Sequence, residues 1–182
     1  VKTDTMPQGV YVKTADVVGK YASSTLYAGD ILTKAKLSGD SNNADDVLAT
    51  LNGSKVAVSV TIDTFAAGLS GKLQNGDIIS LIAVDKNAGT SAIPGELKYM
   101  KVITTTTAGG IDQDSVVKND DGSFEIPSTI TVLCNTEQAK LLAKYEADIT
   151  LQAALVYRGD NETANKFLEK QDAFFAGGGA NE

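Results

Sequence analysis

The chain contains no histidine, no tryptophan, one cysteine, three prolines and a single arginine, Arg158, in 182 residues. Histidine is the commonest general base, a frequent metal ligand and a member of hydrolytic triads. Its absence removes the usual routes to acid–base, zinc and nucleophilic chemistry. One cysteine cannot form an intramolecular disulfide. Cys134 ends the apolar run Ile130–Cys134 with no imidazole in the chain to activate it, so it reads as a small buried side chain. The near absence of arginine, together with a net charge of −7, argues against nucleic acid and against anionic membrane surfaces, both of which select basic patches. The longest apolar run, Ile78–Val84, is interrupted by Ser80 and is far too short to span a bilayer. No signal peptide is visible. No glycine-rich loop ends in Lys-Ser or Lys-Thr, and the late "AFFAGGG" lacks a following strand and helix.

What is present fits a turn-rich β protein: 42% hydrophobic residues, 17 glycines and few prolines. The length allows one good core or two small domains. Between Ser54 and Asp85 the pattern is most regular. Val56, Val58, Val60 and Ile62 alternate with Ala57, Ser59 and Thr61, the period of a half-buried strand. A glycine turn follows, with Gly71, Gly76 and Asp77, and then a second apolar strand from Ile78 to Val84. The glycines permit positive φ where the chain reverses, and Asp77 is placed to bond backbone amides at the turn. An earlier turn signal is Ala28-Gly29-Asp30.

The order of these pieces resembles a known family. "VAVSVTIDTFAAGLSGKLQNGDIISLIAV" (56–84) is similar to the central segment of Flp (tad-type) pilus assembly proteins of the CpaB/RcpC kind. "VVGKYASSTLYAGDILTKAKLS" (17–38) resembles the second half of a SAF domain, and "TITVLCNTEQAKLLAKYEADITLQAALVYRGD" (129–160) resembles the family's closing strand–helix–strand unit. The resemblance implies a membrane-tethered precursor with an N-terminal membrane helix. The start at Val1-Lys2-Thr3-Asp4, with no initiator methionine, then reads as that of a truncated soluble piece. The first portion of the SAF-like unit is missing, which leaves an incomplete β unit with an open edge, and open edges invite pairing with another chain.

The expected fold is α+β, mainly β: a small SAF-like (β-clip) unit followed by a β-rich domain with one or two packing helices. The expected divisions are a partial SAF-like unit over 1–38, a linker over 39–53, the RcpC/CpaB-like domain over 54–160, and a C-terminal helix with a mobile tail over 161–182. Short strands are expected near Lys20–Ser23 and Ile31–Thr33, and a loop over the polar run Ser38–Asp46. Val47–Leu51 reads as a short helical turn, and Lys86–Gly95 as a second loop. Glu96–Thr106 reads as β in its later part, with a hairpin turn at Asp120-Asp121-Gly122 leading to Ser123–Ile126. Thr129–Cys134 is the next strand. Asn135 and Gln138 stand at capping-box spacing and open an amphipathic helix whose stripe runs through Ala139, Leu142 and Tyr145. Ile149–Val156 reads as a closing strand, and Asn161–Phe175 as a final helix.

Little in this inventory can do chemistry. Two carboxylates at suitable separation suffice for a glycosidase. Asp63, Asp77 and Asp85 are candidates because they sit at strand ends, where turn-forming and solubilising aspartates are the ordinary reading. Asp112-Gln113-Asp114 and Asn119–Gly122 bring several oxygens together, but without EF-hand spacing, so a hairpin loop is favoured over a calcium site. No catalytic residue, metal or cofactor is expected. The function expected from the resemblance is a non-catalytic extracytoplasmic component of Flp-type pilus assembly. It binds other pilus-machinery proteins or the cell wall, and a homo-oligomer is an option. The alternative is a carbohydrate-binding module for cell-wall glycan, with Tyr21, Tyr27 and Tyr99 as candidate contacts, although aromatics make up only 6% of the chain.

Overall fold

A computed structural model describes residues 6–22, 25–39, 41–112 and 127–178. Within them the chain runs β1 (Tyr21–Ala22), β2 (Leu37–Ser38), α1 (Ala44–Ala49), β3 (Val56–Thr61), β4 (Ile78–Asp85), β5 (Thr90–Ala92), β6 (Met100–Thr107), β7 (Pro127–Cys134), α2 (Thr136–Asp148), β8 (Thr150–Tyr157) and α3 (Asn161–Ala176). The fold is α+β and mainly β, as the alternating apolar pattern requires.

Six strands form one antiparallel sheet in the order β3-β7-β6-β4-β5, with β8 on the opposite edge of β4. The register pairs Val58 with Val132 and Val60 with Ile130, then Val102 with Val132, and Leu81 with Ala153. These side chains alternate onto one face, where Val60, Ile79, Leu81, Val102, Ile130 and Val132 are all buried in a single cluster. Helix α2 closes that face. It lies against both β3 and β8, the two outer strands, and drives the fully buried Leu142 into the cluster. One amphipathic helix thus bridges the sheet's open sides, and the apolar stripe read from the sequence is its core-facing side.

The opposite face is covered at one end only. Ile78, Lys101 and Ile103 are buried there, where α1 and α3 approach β6. The N-terminal segment joins at this same end. Its ribbon pairs Tyr21 with Ser38 and Ala22 with Leu37, and Val10 bridges Thr33. The side chain of Asn42, just before α1, packs directly over Gly76.

Several expectations need correction. Ile31–Thr33 is not a strand. Only Thr33 bridges Val10, because the chain reverses at once through a turn closed by Lys36 N–H to Thr33 O (3.0 Å), and the ribbon partner is Leu37–Ser38 instead. Of Lys20–Ser23, Tyr21–Ala22 form a strand, and Ser23 lies outside the described residues. The helix in the linker begins earlier than Val47. Asn43 caps it by accepting from the amides of Asp45 and Asp46, and those two carboxylates sit in the favourable first turn. The loop over Lys86–Gly95 contains β5, which folds back on Ala83–Asp85 around a turn with Gly89 at φ 67°. Asp120–Gly122 and Ser123–Ile126 lie outside the described residues.

Candidate interaction surface

At the end of the sheet where β4 begins, the lone arginine meets a buried carboxylate. Arg158, one residue past β8, donates from Nε to Asp77 Oδ1 (2.7 Å) and from one terminal nitrogen to Asp77 Oδ2 and the Lys72 carbonyl (2.6 Å each). Asp77 is 1% exposed and also accepts the Gln74 amide at 2.8 Å. Its carboxylate holds the guanidinium further up than arginine's ordinary range. The two ends of this bidentate pair are brought together because Ile78 and Tyr157 are register partners. The pair therefore pins the glycine turn to the strand end.

Beyond it, the Tyr157 hydroxyl donates to Asp160 Oδ2 (2.7 Å), and Asp160 Oδ1 caps α3 by accepting the Thr163 amide (2.8 Å). Those two bonds hold the Asp160 carboxyl below its ordinary range, the amide being the larger cause. The cap, the ion pair and Asn42 line one polar cleft of about 430 Å³. A second cleft of about 620 Å³ separates Tyr11, Lys34 and Leu37 from the first turn of α3. A third, of about 550 Å³, brings Tyr21 and Val47 over Lys101, Leu133 and Leu168. All three lie on the seam between the N-terminal segment and the body.

The N-terminal segment is unusually apolar outside. Of the twelve large hydrophobic side chains exposed among the described residues, seven fall between positions 12 and 48: Val12, Val18, Tyr21, Leu26, Tyr27, Ile31 and Leu48. Val18 is 75% and Tyr27 73% exposed, whereas Leu37 is the one buried hydrophobic in that stretch. A two-stranded ribbon with so little core is marginal by itself.

The sequence-predicted positions divide. Gly29, Gly71 and Gly76 all have positive φ (95°, 69° and 87°). Asp30 accepts the Tyr27 amide (3.2 Å) and pairs with Lys36 (2.9 Å); the Lys36 bond is the chief cause of a carboxyl held below its ordinary range. Asn135 and Gln138 form the complete capping box. Tyr21 is on β1 and Tyr27 is in the following turn. Tyr99 packs against Phe167 at a tilt of 51°, with ring centroids 5.2 Å apart. The three aspartates are each engaged separately. Asp77 binds Arg158, Asp63 accepts from Thr150 (3.0 Å), and Asp85 caps the amides of Asn87 and Ala88 (2.8 and 2.9 Å). Asp77 and Asp85 stand at opposite ends of β4. Asp112 accepts from Thr106 (2.7 Å), while Gln113, Asp114 and Asn119–Gly122 lie outside the described residues. Among the described residues no His, Cys, Asp and Glu cluster could hold a metal. Cys134 is buried, and burial pushes its thiol up to about 11.

One surface was missed in the sequence. On the face opposite the core, Ser59, Thr131 and Thr104 form a row across β3, β7 and β6, and Thr61, Thr129 and Thr106 form the next row. The Ser59 and Thr131 hydroxyls are 2.8 Å apart. Six hydroxyl side chains in register make a flat polar grid. Thr104 is buried, so the solvent-reached part of this polar grid is the five hydroxyls of Ser59, Thr61, Thr106, Thr129 and Thr131, with the Asp112 carboxylate bonded to Thr106 at its edge. Its signal was the run Thr104–Thr107 and the alternation of Thr129 and Thr131, both of which also suit a solvent-facing strand.

The family described as Flp pilus assembly protein RcpC/CpaB matches residues 45–156, a span from α1 through β8. No match to the chain emerged among curated proteins or among solved structures. Among the described residues no helix is long and apolar enough to cross a membrane.

Proposed function

We propose that this chain, which belongs to the Flp pilus assembly protein RcpC/CpaB family, is a non-catalytic extracytoplasmic assembly component that docks other proteins of the pilus machinery through its N-terminal end. Membership makes it an envelope-associated pilus assembly protein. The observation that carries the docking reading is the concentration of exposed apolar side chains, Val18 and Tyr27 above all, on a ribbon with almost no core. In this reading residues 1–38 are the partial SAF-like unit, 39–53 the link, 54–160 the family body, and 161–182 a helix and tail; a tether anchors the full-length protein.

The test is photo-crosslinking in piliated cells, with the reactive group at position 18 or 27. Adducts with identified pilus-machinery proteins are expected, and Val18→Asp with Tyr27→Asp should abolish both adducts and pili at unchanged protein level. Normal piliation in that variant, with no pilus-protein adduct from the wild-type positions, would overturn the reading.

A second reading, attachment to cell-wall glycan, is favoured by the hydroxyl grid of β3, β7 and β6. It calls for sedimentation with purified cell wall that Thr131→Val and Ser59→Ala weaken.

A further inference from the structure

The N-terminal segment differs from the rest of the chain in charge as well as in apolar exposure. Residues 1–38 carry five lysines against three aspartates, a net charge of +2, so residues 39–182 carry −9 of the chain's −7 total. The N-terminal segment sits where β4 begins, because its side chains share clefts with Arg158, Lys101 and Leu133; Asp46, Asp160 and Glu162 line those clefts behind it, and its basic surface is its own exposed Lys13, Lys20 and Lys34. At the other end of β4, roughly 25 Å away for an eight-residue strand, the corner is acidic. Asp63 accepts from Thr150, Glu146 accepts the Thr61 amide (3.1 Å), Asp148 ends α2 immediately before β8, and Asp85 ends β4. Lys86, paired with Asp63 at 3.4 Å, is a counter-charge there. Phe65, 52% exposed, follows Asp63 by two residues and supplies an apolar contact beside the carboxylates.

We infer that the basic, apolar N-terminal pole of one chain docks on the acidic pole of a second copy, so that the protein stacks head to tail. This rests on the reading of the N-terminal end as a docking surface and adds a second copy of the chain to the proteins that end takes. The contact is heterologous, with different patches meeting, so it propagates into a ring or a filament rather than stopping at a twofold dimer. Charge sets the direction. Side-by-side packing of bodies that carry −9 is repelled, while pole-to-pole packing puts Lys13, Lys20 and Lys34 against carboxylates. Near 0.1 M salt the Debye length is about 10 Å, so repulsion across the whole body is screened while contact attraction persists. Near 1 M salt, at about 3 Å, the attraction fades as well.

The experiment is sedimentation velocity on the purified chain across concentration and salt. The wild type should grow in mass with concentration near 0.1 M salt and return towards the single chain near 1 M. Lys13→Glu with Lys20→Glu should stay single, and so should Glu146→Lys with Asp148→Lys; both should keep the wild-type circular dichroism, the second with a melting curve lowered slightly by loss of the Glu146 bond to the Thr61 amide. An equimolar mixture of the two variants should regain association, because each restores opposite charge at the other's pole. A wild type that stays single throughout, or association that both variants leave unchanged, overturns the stacking. If that happens while positions 18 and 27 still cross-link to another pilus protein, only the self-association is lost.

Discussion

Gln138 on α2 and Gln171 on α3 hold the same turn from opposite sides. Gln138 Nε2 donates to the Glu96 carbonyl (2.7 Å) and Gln171 Nε2 to the Gly95 carbonyl (2.9 Å). Each amide oxygen also accepts a backbone N–H, from Asn135 and from Tyr99 respectively (2.8 Å each). Both side chains are buried. Two helices that lie against different parts of the sheet are thereby joined through the 3-10 turn Gly95–Leu97, whose Leu97 fills the core. A Cβ at Gly95 would lie 2.7 Å from the Phe174 ring of α3, so a side chain there would have to displace that ring.

Gln138→Leu and Gln171→Leu each leave a backbone carbonyl and a backbone amide without their partners. The expected cost is about 1–3 kcal/mol apiece, the desolvation penalty of unpaired buried groups. Because both act on one turn, the double variant should lose less than the sum of the two. Urea denaturation of all four proteins closes the cycle, and strict additivity would show that the turn is not shared.

The capping box at Asn135 and Gln138 was legible because it is local: residues three apart and a known spacing. The strands β3, β4, β7 and β8 were legible because alternation or an apolar run leaves a period. What escaped was non-local. Nothing near Gln171 points to Tyr99, and Arg158 finds Asp77 across 81 positions of sequence through the pairing of β4 with β8. The one available signal was that the chain's sole arginine directly follows an apolar strand. Strand β5 escaped for another reason. Its three residues are too short to show a period, and it exists because β4 offers a free edge past the end of β6. The N-terminal strand was misplaced because Ile31–Thr33 is apolar and β-branched, whereas ribbon register was decided at Leu37, the residue that is buried.

Arg158→Ala strips Asp77 of its counter-charge while Asp77 stays 1% exposed. Losing one partner of a buried pair costs about 3–5 kcal/mol. The lower end is expected here, because the Arg158 side chain is 39% exposed and partly screened. Arg158→Lys should recover only part of this, since an ammonium cannot meet both carboxylate oxygens and the Lys72 carbonyl in one plane. Equal stability of the lysine variant and the wild type in thermal melts would refute the bidentate account.

Acid should loosen the start of α3. The Asp160 carboxyl is held below its ordinary range by the Thr163 amide and the Tyr157 hydroxyl. A lowered carboxyl contributes stability that is complete above the unfolded-state value, about 3.9, and is lost as pH falls through the lower folded-state value. Asp160→Asn keeps a capping oxygen but loses the charge. The stability gap between wild type and variant should therefore be full at neutral pH and close as the solution is acidified below about pH 4. Melting curves taken along that series measure it, and a gap that widens in acid would reverse the assignment.

Cys134 should behave as an inert core residue. Its thiol donates weakly to the Val56 carbonyl (3.6 Å), and burial pushes it up to about 11. At neutral pH almost none is thiolate, and the thiolate is the reacting form. A chromogenic disulfide reagent should label the native chain slowly, at a rate set by unfolding, and label it at once in denaturant. Rapid native labelling would mean that the β3–β7 end opens readily.

Gly76 is where Asn42 meets the turn before β4, and two effects there can be separated. Its φ of 87° disfavours any side chain, and a Cβ would lie 2.6 Å from the Asn42 side chain. Gly76→Ala should cost about 1–3 kcal/mol through strain at a positive φ, plus whatever it takes to push Asn42 aside. Asn42→Gly removes the clash and leaves the backbone strain. In the Asn42→Gly background, the cost of Gly76→Ala should fall to the strain alone. The displacement of Asn42 should have a local signature as well. In Gly76→Ala, amide protection should drop over α1 and β2 while β4, β6 and β7 stay protected, because the N-terminal segment meets the body along this seam and the core sheet does not depend on it. Uniform loss of protection would instead mean that the N-terminal unit and the sheet unfold as one.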